Sequence, residues 1–544
     1  MTNSITASQK RLLFILCIAQ FSISADIANL SIATATLVTH FQTDISAIKT
    51  LGTIQPLVGA ALMLPAGLIG LFIGWRIMLI TGAFIGLAAS ILFILAPNVA
   101  FVTYLARPLT GISSALLLPA ILALVSARFP GKSRALAFGV LAASGGLSAA
   151  VVPMSSGLLM DHFAWYLPLT FISAFYLITS WFAIKGIPPV ENPRPSSFDF
   201  IGALLSSSGI VLVVLALIKA PSWGLLSANS NADIPTWFTG LTSLSPSLAV
   251  IALGLMSLFA FYFQQRQREA QQKTALLPIS WLKNRQCRAG FLLLTFMYMI
   301  LGGVSFIIIT YLQVAISLSS SHSGFIILLF SICMIAFSVI TPLVFKSLKA
   351  KTLCLTAFIG LASSAVILFF SSQSHHILSP FYLGMLLTGS SMGILASQCP
   401  AIITNALGET DAAQSSGLQA TIRNMGLVLG ICLIGGTQQW ALEHTVRQHS
   451  EQSKQIFPDH FISQIEQSPT LPYLDDIRIA NLSDTYGMDH QQHATLLTLN
   501  AHSRLTSFQN ALMMVIFLSA LGVLTSYRLS VPATQQGKLK GESG

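Results

Sequence analysis

Charged side chains make up only 8% of this 544-residue chain, while 53% of it is hydrophobic. That shortage of charge excludes a soluble protein of ordinary composition. Cysteine is scarce too. The six (Cys17, Cys287, Cys333, Cys354, Cys399 and Cys432) are widely spaced, five of them inside apolar runs, with no paired spacing. Neither a disulfide framework nor a thiolate metal site is expected. Gly131-Lys132-Ser133 has Ser126 in place of the first glycine of a phosphate loop. Gly389-Ser390-Ser391-Met392-Gly393 lies inside an apolar run and not on the strand-to-helix turn of a nucleophile elbow, and no zinc-protease motif is present. An ATP-driven pump or intramembrane enzyme therefore has no support, and no cofactor is expected. Asp489, His490 and His493 have a spacing that one helical turn could offer to a metal, but a fourth ligand is missing. A solvated polar loop is the favoured reading there, with no metal.

What the chain does have is long apolar runs. A helix needs about 20 consecutive apolar residues to cross the hydrocarbon core, and such runs recur from residue 11 to residue 529. The first six expected spans are 11–38, 46–73, 77–97, 99–127, 134–160 and 165–187. Two follow a Pro-rich break (Pro188, Pro189, Pro193, Pro195), at 199–219 and 243–264. The last six are 288–315, 322–345, 352–373, 378–407, 412–442 and 506–529. The first run, behind Lys10 and Arg11, resembles a signal peptide but continues past residue 35 without a cleavage site, so it reads as a span.

The expected fold class is thus an all-α polytopic membrane protein with fourteen transmembrane helices as six, two and six. Residues 1–187 form an N-terminal six-helix bundle, 188–285 a linker with two extra helices, and 286–544 a C-terminal bundle with a long external loop at about 443–505. The formal charge of +10 raises the question of nucleic acid. Twenty of the 28 Lys and Arg residues, however, fall in segments on one side of the spans, as expected when basic loops stay cytoplasmic. The excess is a topology signal. It places both termini in the cytoplasm and argues against a nucleic-acid partner, while the compact loops suit a bacterial-type inner membrane.

The residues carry a likeness at this point. Ala25-Asp26-Ile27-Ala28 lies in the first span, Arg107-Pro108-Leu109-Thr110-Gly111 in the fourth, and Gly67, Gly74 and Arg76 around the loop after the second. Asp199 with Gly202 opens the seventh span, Tyr311-Leu312-Gln313 closes the ninth, and Arg423-Asn424-Met425-Gly426 sits in the thirteenth. In that order, over nearly the whole length, the chain resembles the fourteen-span drug:proton antiporter branch of the major facilitator superfamily. The resemblance implies a major facilitator fold, alternating access between two bundles, and gating roles for Gly67, Gly74, Arg76 and Gly111. Gly145, Gly146, Pro153 and Gly157 of the fifth span permit the close approach and bending that a gating helix needs, and such residues are also ordinary packing in membrane bundles. Two departures stand out. The antiporter motif of the fifth span survives only as Pro153 and Gly157, with Val152 and Ser156 at glycine positions, and Leu71 stands where the family usually has Asp.

Among the acidic residues, Asp26 is the one placed well inside a span. A charge at that depth costs several kcal/mol, so an intramembrane acid is a functional candidate. Arg107 has the same logic with a fixed charge, since guanidinium does not deprotonate. An acid that titrates facing a base that does not is what proton coupling requires; a permanent ion pair pinning the first span to the fourth is the bland alternative. Pro108 is expected to kink the fourth helix. Asn29, Gln55, Gln313, Arg423 and Asn424 are candidates for a substrate cavity, and such polar groups also serve as glue between helices.

The expected function is a proton-coupled antiporter exporting amphipathic or toxic small molecules. Its partners would be substrate, protons and the lipid bilayer, and an external adaptor protein is left open. Two alternatives stand beside it, a transporter of one specific, even anionic, metabolite and a transport-inactive membrane sensor on the same fold.

Overall fold

The computed structural model describes residues 6–43, 45–130, 132–187, 198–224, 245–318, 320–345, 347–407, 409–452, 456–468 and 471–529. The Pro-rich break falls outside them. Among the described residues fourteen helices are long and apolar enough to cross a membrane. They are α1 (Ala7–Phe41), α2 (Ile45–Ile73), α3 (Trp75–Ile94), α4 (Val99–Arg128), α5 (Lys132–His162), α6 (Leu167–Gly186), α7 (Phe200–Trp223) and α8 (Pro246–Ala270). Then come α9 (Arg285–Ala315), α10 (Ser320–Val344), α11 (Ala350–Ser371), α12 (Pro380–Ala406), α13 (Glu409–Gly430, continued through Ile431–Gly435 into Gly436–Gln452) and α14 (His490–Tyr527). Lipid offers no partner to a backbone N–H or C=O, so each apolar run satisfies its own backbone as helix.

Two apolar cores divide the molecule. One joins α1 to α6 through residues such as Leu16, Trp75, Met78 and Ile121. The other joins α9 to α14 through Phe358, Phe381 and Phe508. The extra pair α7 and α8 leans on α2, where Ala60 meets Ile210 and Val214 and the Ser207 hydroxyl donates to the Ala61 carbonyl at 2.7 Å. The outer face of α8 exposes Leu253, Leu255, Met256 and Phe259, which suits a surface solvated by acyl chains. Asp199 explains the start of α7. It accepts from the Gly202 N–H at 2.9 Å as an N-cap and is ion-paired to Arg268 of α8 at 3.5 Å.

Among the described residues three helices contain a π turn, at Val102–Ala106 in α4, Tyr311–Ala315 in α9 and Ile431–Gly435 in α13. The first has a sequence cause. Pro108 lacks the N–H that would bond four residues back, and its ring crowds Tyr104; the backbone widens there, with the Arg107 N–H bonded to the Val102 carbonyl.

The loop expected at about 443–505 is a folded cap. Helix α13 runs ten residues beyond its expected end, and α14 starts sixteen residues before its expected beginning. Between them lie helices Asp459–Gln467 and Asp476–Thr485. Phe457, Phe461 and Ile465 recur at four-residue spacing and close on Ile479 and Leu496 in a small core, beside a cavity of about 180 Å³. Asp489 is the N-cap of α14, accepting from the Gln492 N–H at 2.7 Å. Arg504 fastens the cap. Its fully buried guanidinium donates to the carbonyls of Val314 and Leu474, each at 3.1 Å, and meets Asp476 at 2.6 Å. Arg504→Met keeps the bulk and leaves those carbonyls unpaired, so a loss of about 2–4 kcal/mol is expected. Limited proteolysis should then cut within the cap; an unchanged digestion pattern would remove Arg504 as its fastener.

Candidate functional site

Asp26 and Arg107 meet inside the N-terminal bundle. The Arg107 Nη1 donates to Asp26 Oδ2 at 3.0 Å, with the two side chains 2% and 3% exposed. Its Nη2 donates to Gln55 Oε1, and its Nε to the Leu51 carbonyl at 3.4 Å. One guanidinium thus ties α4 to α1 and α2. The glycine four residues on explains how. A Cβ at Gly111 would lie 2.7 Å from Val58 Cβ and 3.0 Å from the Gln55 carbonyl. The bare backbone therefore lets α4 approach α2 closely enough for Arg107 to reach Gln55.

The amides beside the pair are not fully satisfied. Asn29, one turn after Asp26, keeps a buried Oδ1 without a hydrogen-bond partner, and so does the Gln55 Nε2. Asp26, Asn29 and Arg107 line a cavity of about 10 Å³, walled by Leu30, Phe93 and Trp165. That is room for about one water molecule. The arrangement sets a buried carboxylate and an unpaired amide oxygen beside room for one water molecule.

A second polar locus lies where the two halves meet. Arg423 of α13 donates from Nη1 to Gln20 Oε1 of α1 at 3.3 Å, and its guanidinium carbon sits 5.5 Å from the centre of the Tyr298 ring of α9. Asn424 points to α2, donating to Met63 Sδ at 3.2 Å. Neither Gln20 nor Tyr298 was among the expected site residues. A glutamine two turns before Asp26 is the signal that could have found the first; the tyrosine carries none.

Gln313 belongs elsewhere. It is exposed in the last turn of α9, because the π turn there rotates Tyr311 inward to stack on Phe508 at 4.1 Å and to donate to the Gln373 carbonyl at 2.8 Å. Its expected neighbours Arg423 and Asn424 lie deep in α13.

The expected gating positions differ in kind. Gly74 has φ +89° between α2 and α3, a backbone region that side chains rarely adopt. Gly67 is at a close crossing of α2 with α13, where a Cβ would stand 2.8 Å from the Gly417 Cα. Gly146 faces Ile335 of α10 at 3.3 Å, and Gly145 faces Ser24 and Gln20 at 3.6 and 3.7 Å. Pro153 and Gly157 are half-buried in α5. Arg76 donates to the Ile184 carbonyl of α6 at 2.6 Å, while Leu71 is packed in the apolar core. With no carboxylate at position 71, the arginine anchors α3 to the end of α6 instead. Arg134 of α5 donates to Asn405 Oδ1 of α12 at 2.8 Å, and Gly139 abuts Ser338 of α10. These crossings between the halves lie at or toward the end of the bundle that carries the N-terminus of α1.

Residues 16–431 match the model of the Major Facilitator Superfamily. The chain is 25% identical over 424 residues to the riboflavin transporter RibZ of Clostridioides difficile, covering 77% of this chain and 86% of that one. It is 25% identical over 376 residues to the multidrug transporter protein MdtP of Bacillus subtilis, covering 68% of this chain and 64% of that protein, just under two thirds. Among solved structures, the human organic anion transporter MFSD10 superposes with a TM-score of 0.56 at 11% identity, covering 94% of this chain and all of that one, a likeness of fold. The fourteen apolar helices, the two cores and the family match agree: this chain is a multi-pass membrane protein belonging to the Major Facilitator Superfamily.

Proposed function

We propose that this protein is a proton-coupled antiporter that exports amphipathic small molecules, with Asp26 as the proton carrier and Arg107 as its fixed partner. The observation that carries the reading is the buried Asp26–Arg107 pair beside a water-sized cavity and two unpaired amide atoms. Relatives described as multidrug transporters support the cargo class, and a riboflavin transporter keeps a single-metabolite cargo as the second reading. With the end that carries the N-terminus of α1 taken as cytoplasmic, the contacts Gly67–Gly417, Arg134–Asn405 and Gly139–Ser338 belong to a gate shut on that side. The reading is tested in proteoliposomes with an imposed pH gradient against cationic, neutral and anionic compounds. Uphill movement of at least one compound, abolished by a protonophore, is the expected result. Flux that ignores the gradient for every compound would refute it.

Orientation has its own test. Basic loops should remain in the cytoplasm, so reporter fusions at Ser133, Gln272 and Lys540, the last outside the described residues, should read cytoplasmic. One near Asp476 should read external and place the cap outside. A cytoplasmic signal at Asp476 would reverse the assignment.

A further inference from the structure

Two arginines lie deep in the helical region, and their surroundings differ in kind. Arg107 has a carboxylate, an amide oxygen and a carbonyl, so its charge is balanced within its own bundle. Arg423 has Gln20 Oε1 and the face of Tyr298, both neutral. Among the described residues no carboxylate pairs with it, and only its Nη1 has a hydrogen-bond acceptor. A guanidinium has five N–H donors and cannot shed its proton. Holding it there without a counter-charge costs several kcal/mol unless something of opposite sign visits the site.

Its neighbours keep the fork in place. Gln20 Nε2 donates to Ser24 Oγ at 3.0 Å, which fixes the amide so that its oxygen faces Arg423. Gly145 of α5 leaves space beside that amide, the nearest atoms to a Cβ there being Ser24 Oγ and Gln20 Nε2. Arg423 is half-buried and stands at the junction of α1, α9 and α13, where groups from both halves converge.

We infer that Arg423 is an anion-binding group of the transport site, and that the favoured cargo is an amphipathic organic acid. Its carboxylate or sulfonate would bind the open guanidinium fork and its flat apolar body would lie against Tyr298. A planar guanidinium matches two anionic oxygens at once, and the ring supplies an apolar face beside it. This deepens the transporter reading above and rests on it. It also assigns the two arginines different tasks: Arg107 serves the proton and Arg423 the cargo.

The test uses the full chain in proteoliposomes, with naphthalene-2-sulfonate and its neutral sulfonamide as a matched pair. The sulfonate stays anionic at any working pH, so it neither leaks across as its acid nor responds to the proton site. Wild type is expected to bind and move the sulfonate about tenfold or more better than the sulfonamide, the weight of a charge-assisted hydrogen-bond pair. Arg423→Gln should bring that ratio near one while sulfonamide handling persists, and Arg423→Lys should keep part of the preference. Equal handling of both compounds by wild type, or an equal loss of both in Arg423→Gln, overturns the inference; the latter marks Arg423 as a strut between halves. If no compound responds to the pH gradient, the proton-coupled reading fails on its own. The ratio of equilibrium binding for the pair, with and without Arg423→Gln, still decides the anion site, and absence of binding to wild type counts against it.

Discussion

Asp26→Asn is expected to abolish proton-driven export while the folded protein stays in the membrane at near-normal level. The substitution keeps the shape and an oxygen that can accept from Arg107, whose guanidinium Gln55 Oε1 and the Leu51 carbonyl still hold, and removes the carboxyl that would carry the proton. One proton entering down about 100 mV and one pH unit releases about 3.7 kcal/mol, which sustains a substrate gradient of roughly several hundredfold. In the variant the accumulation ratio should fall to about one, because binding and exchange remain but no proton is carried. Counterflow of labelled against unlabelled substrate should therefore survive. Gradient-driven accumulation at the wild-type level would remove Asp26 from the mechanism.

Arg107 sharpens this test. Arg107→Ala strips a buried carboxylate of its partner and leaves Gln55 Oε1 without a donor, so folded yield should drop along with transport. If the two residues act as one device, their losses are non-additive, and the double variant Asp26→Asn with Arg107→Ala transports little worse than Asp26→Asn alone. A purely architectural pair gives the opposite pattern, with the double variant regaining folded yield and transport. The four proteins, compared for yield, accumulation and counterflow, separate these outcomes.

Gly67→Val should be the other severe change, for a reason unrelated to protons. Its Cβ would lie 2.8 Å from the Gly417 Cα and 3.1 Å from the Gly417 nitrogen, and both are backbone atoms that cannot rotate away. Overpacking of this kind costs about 1–3 kcal/mol. Since it falls only on the conformation in which α2 and α13 touch, that conformation should lose about five- to 150-fold in population. Export should collapse with protein level intact, and cysteines placed along Gln414 to Arg423 should become more reactive from that side. Wild-type turnover in Gly67→Val would mean that this crossing is not part of the working cycle.

The spans were legible because lipid imposes a length and an apolarity on each of them, and thirteen of the fourteen helix starts lie within a few residues of the reading. The ends of α13 and α14 were not. A helix that leaves the bilayer stops being uniformly apolar without ceasing to be a helix, so residues 443–452 and the first turns of α14 read as loop. The cap's short helices hold their apolar residues on one face, and a scan for continuous runs passes over them. In the site, Asp26 and Arg107 were visible as charges in apolar surroundings, and their contact is present in the structure. Gln55 was visible as an amide, but the Leu51 carbonyl that completes the shell has no sequence signature. Gln313 misled because its depth depends on the π turn that ends α9. Gln20 was hidden as a neutral residue whose importance depends on Arg423, some 400 positions away in the chain.

The length of α14 has a mechanical consequence. Its 38 residues extend about 57 Å at 1.5 Å per residue, against a hydrocarbon thickness of about 30 Å, so nearly half of the helix projects beyond the hydrocarbon core with the cap attached. Such a rod is a lever. A tilt of about 10° within the membrane would sweep the tip of a ~25 Å overhang through roughly 4 Å, given the helix geometry. Arg504 clamps the cap to both α14 and the end of α9, so the cap travels with its bundle instead of trailing behind it. A fluorophore at the exposed Gln491 would therefore act as a pointer, magnifying angular motions of the C-terminal helices into distances that can be read from outside the membrane.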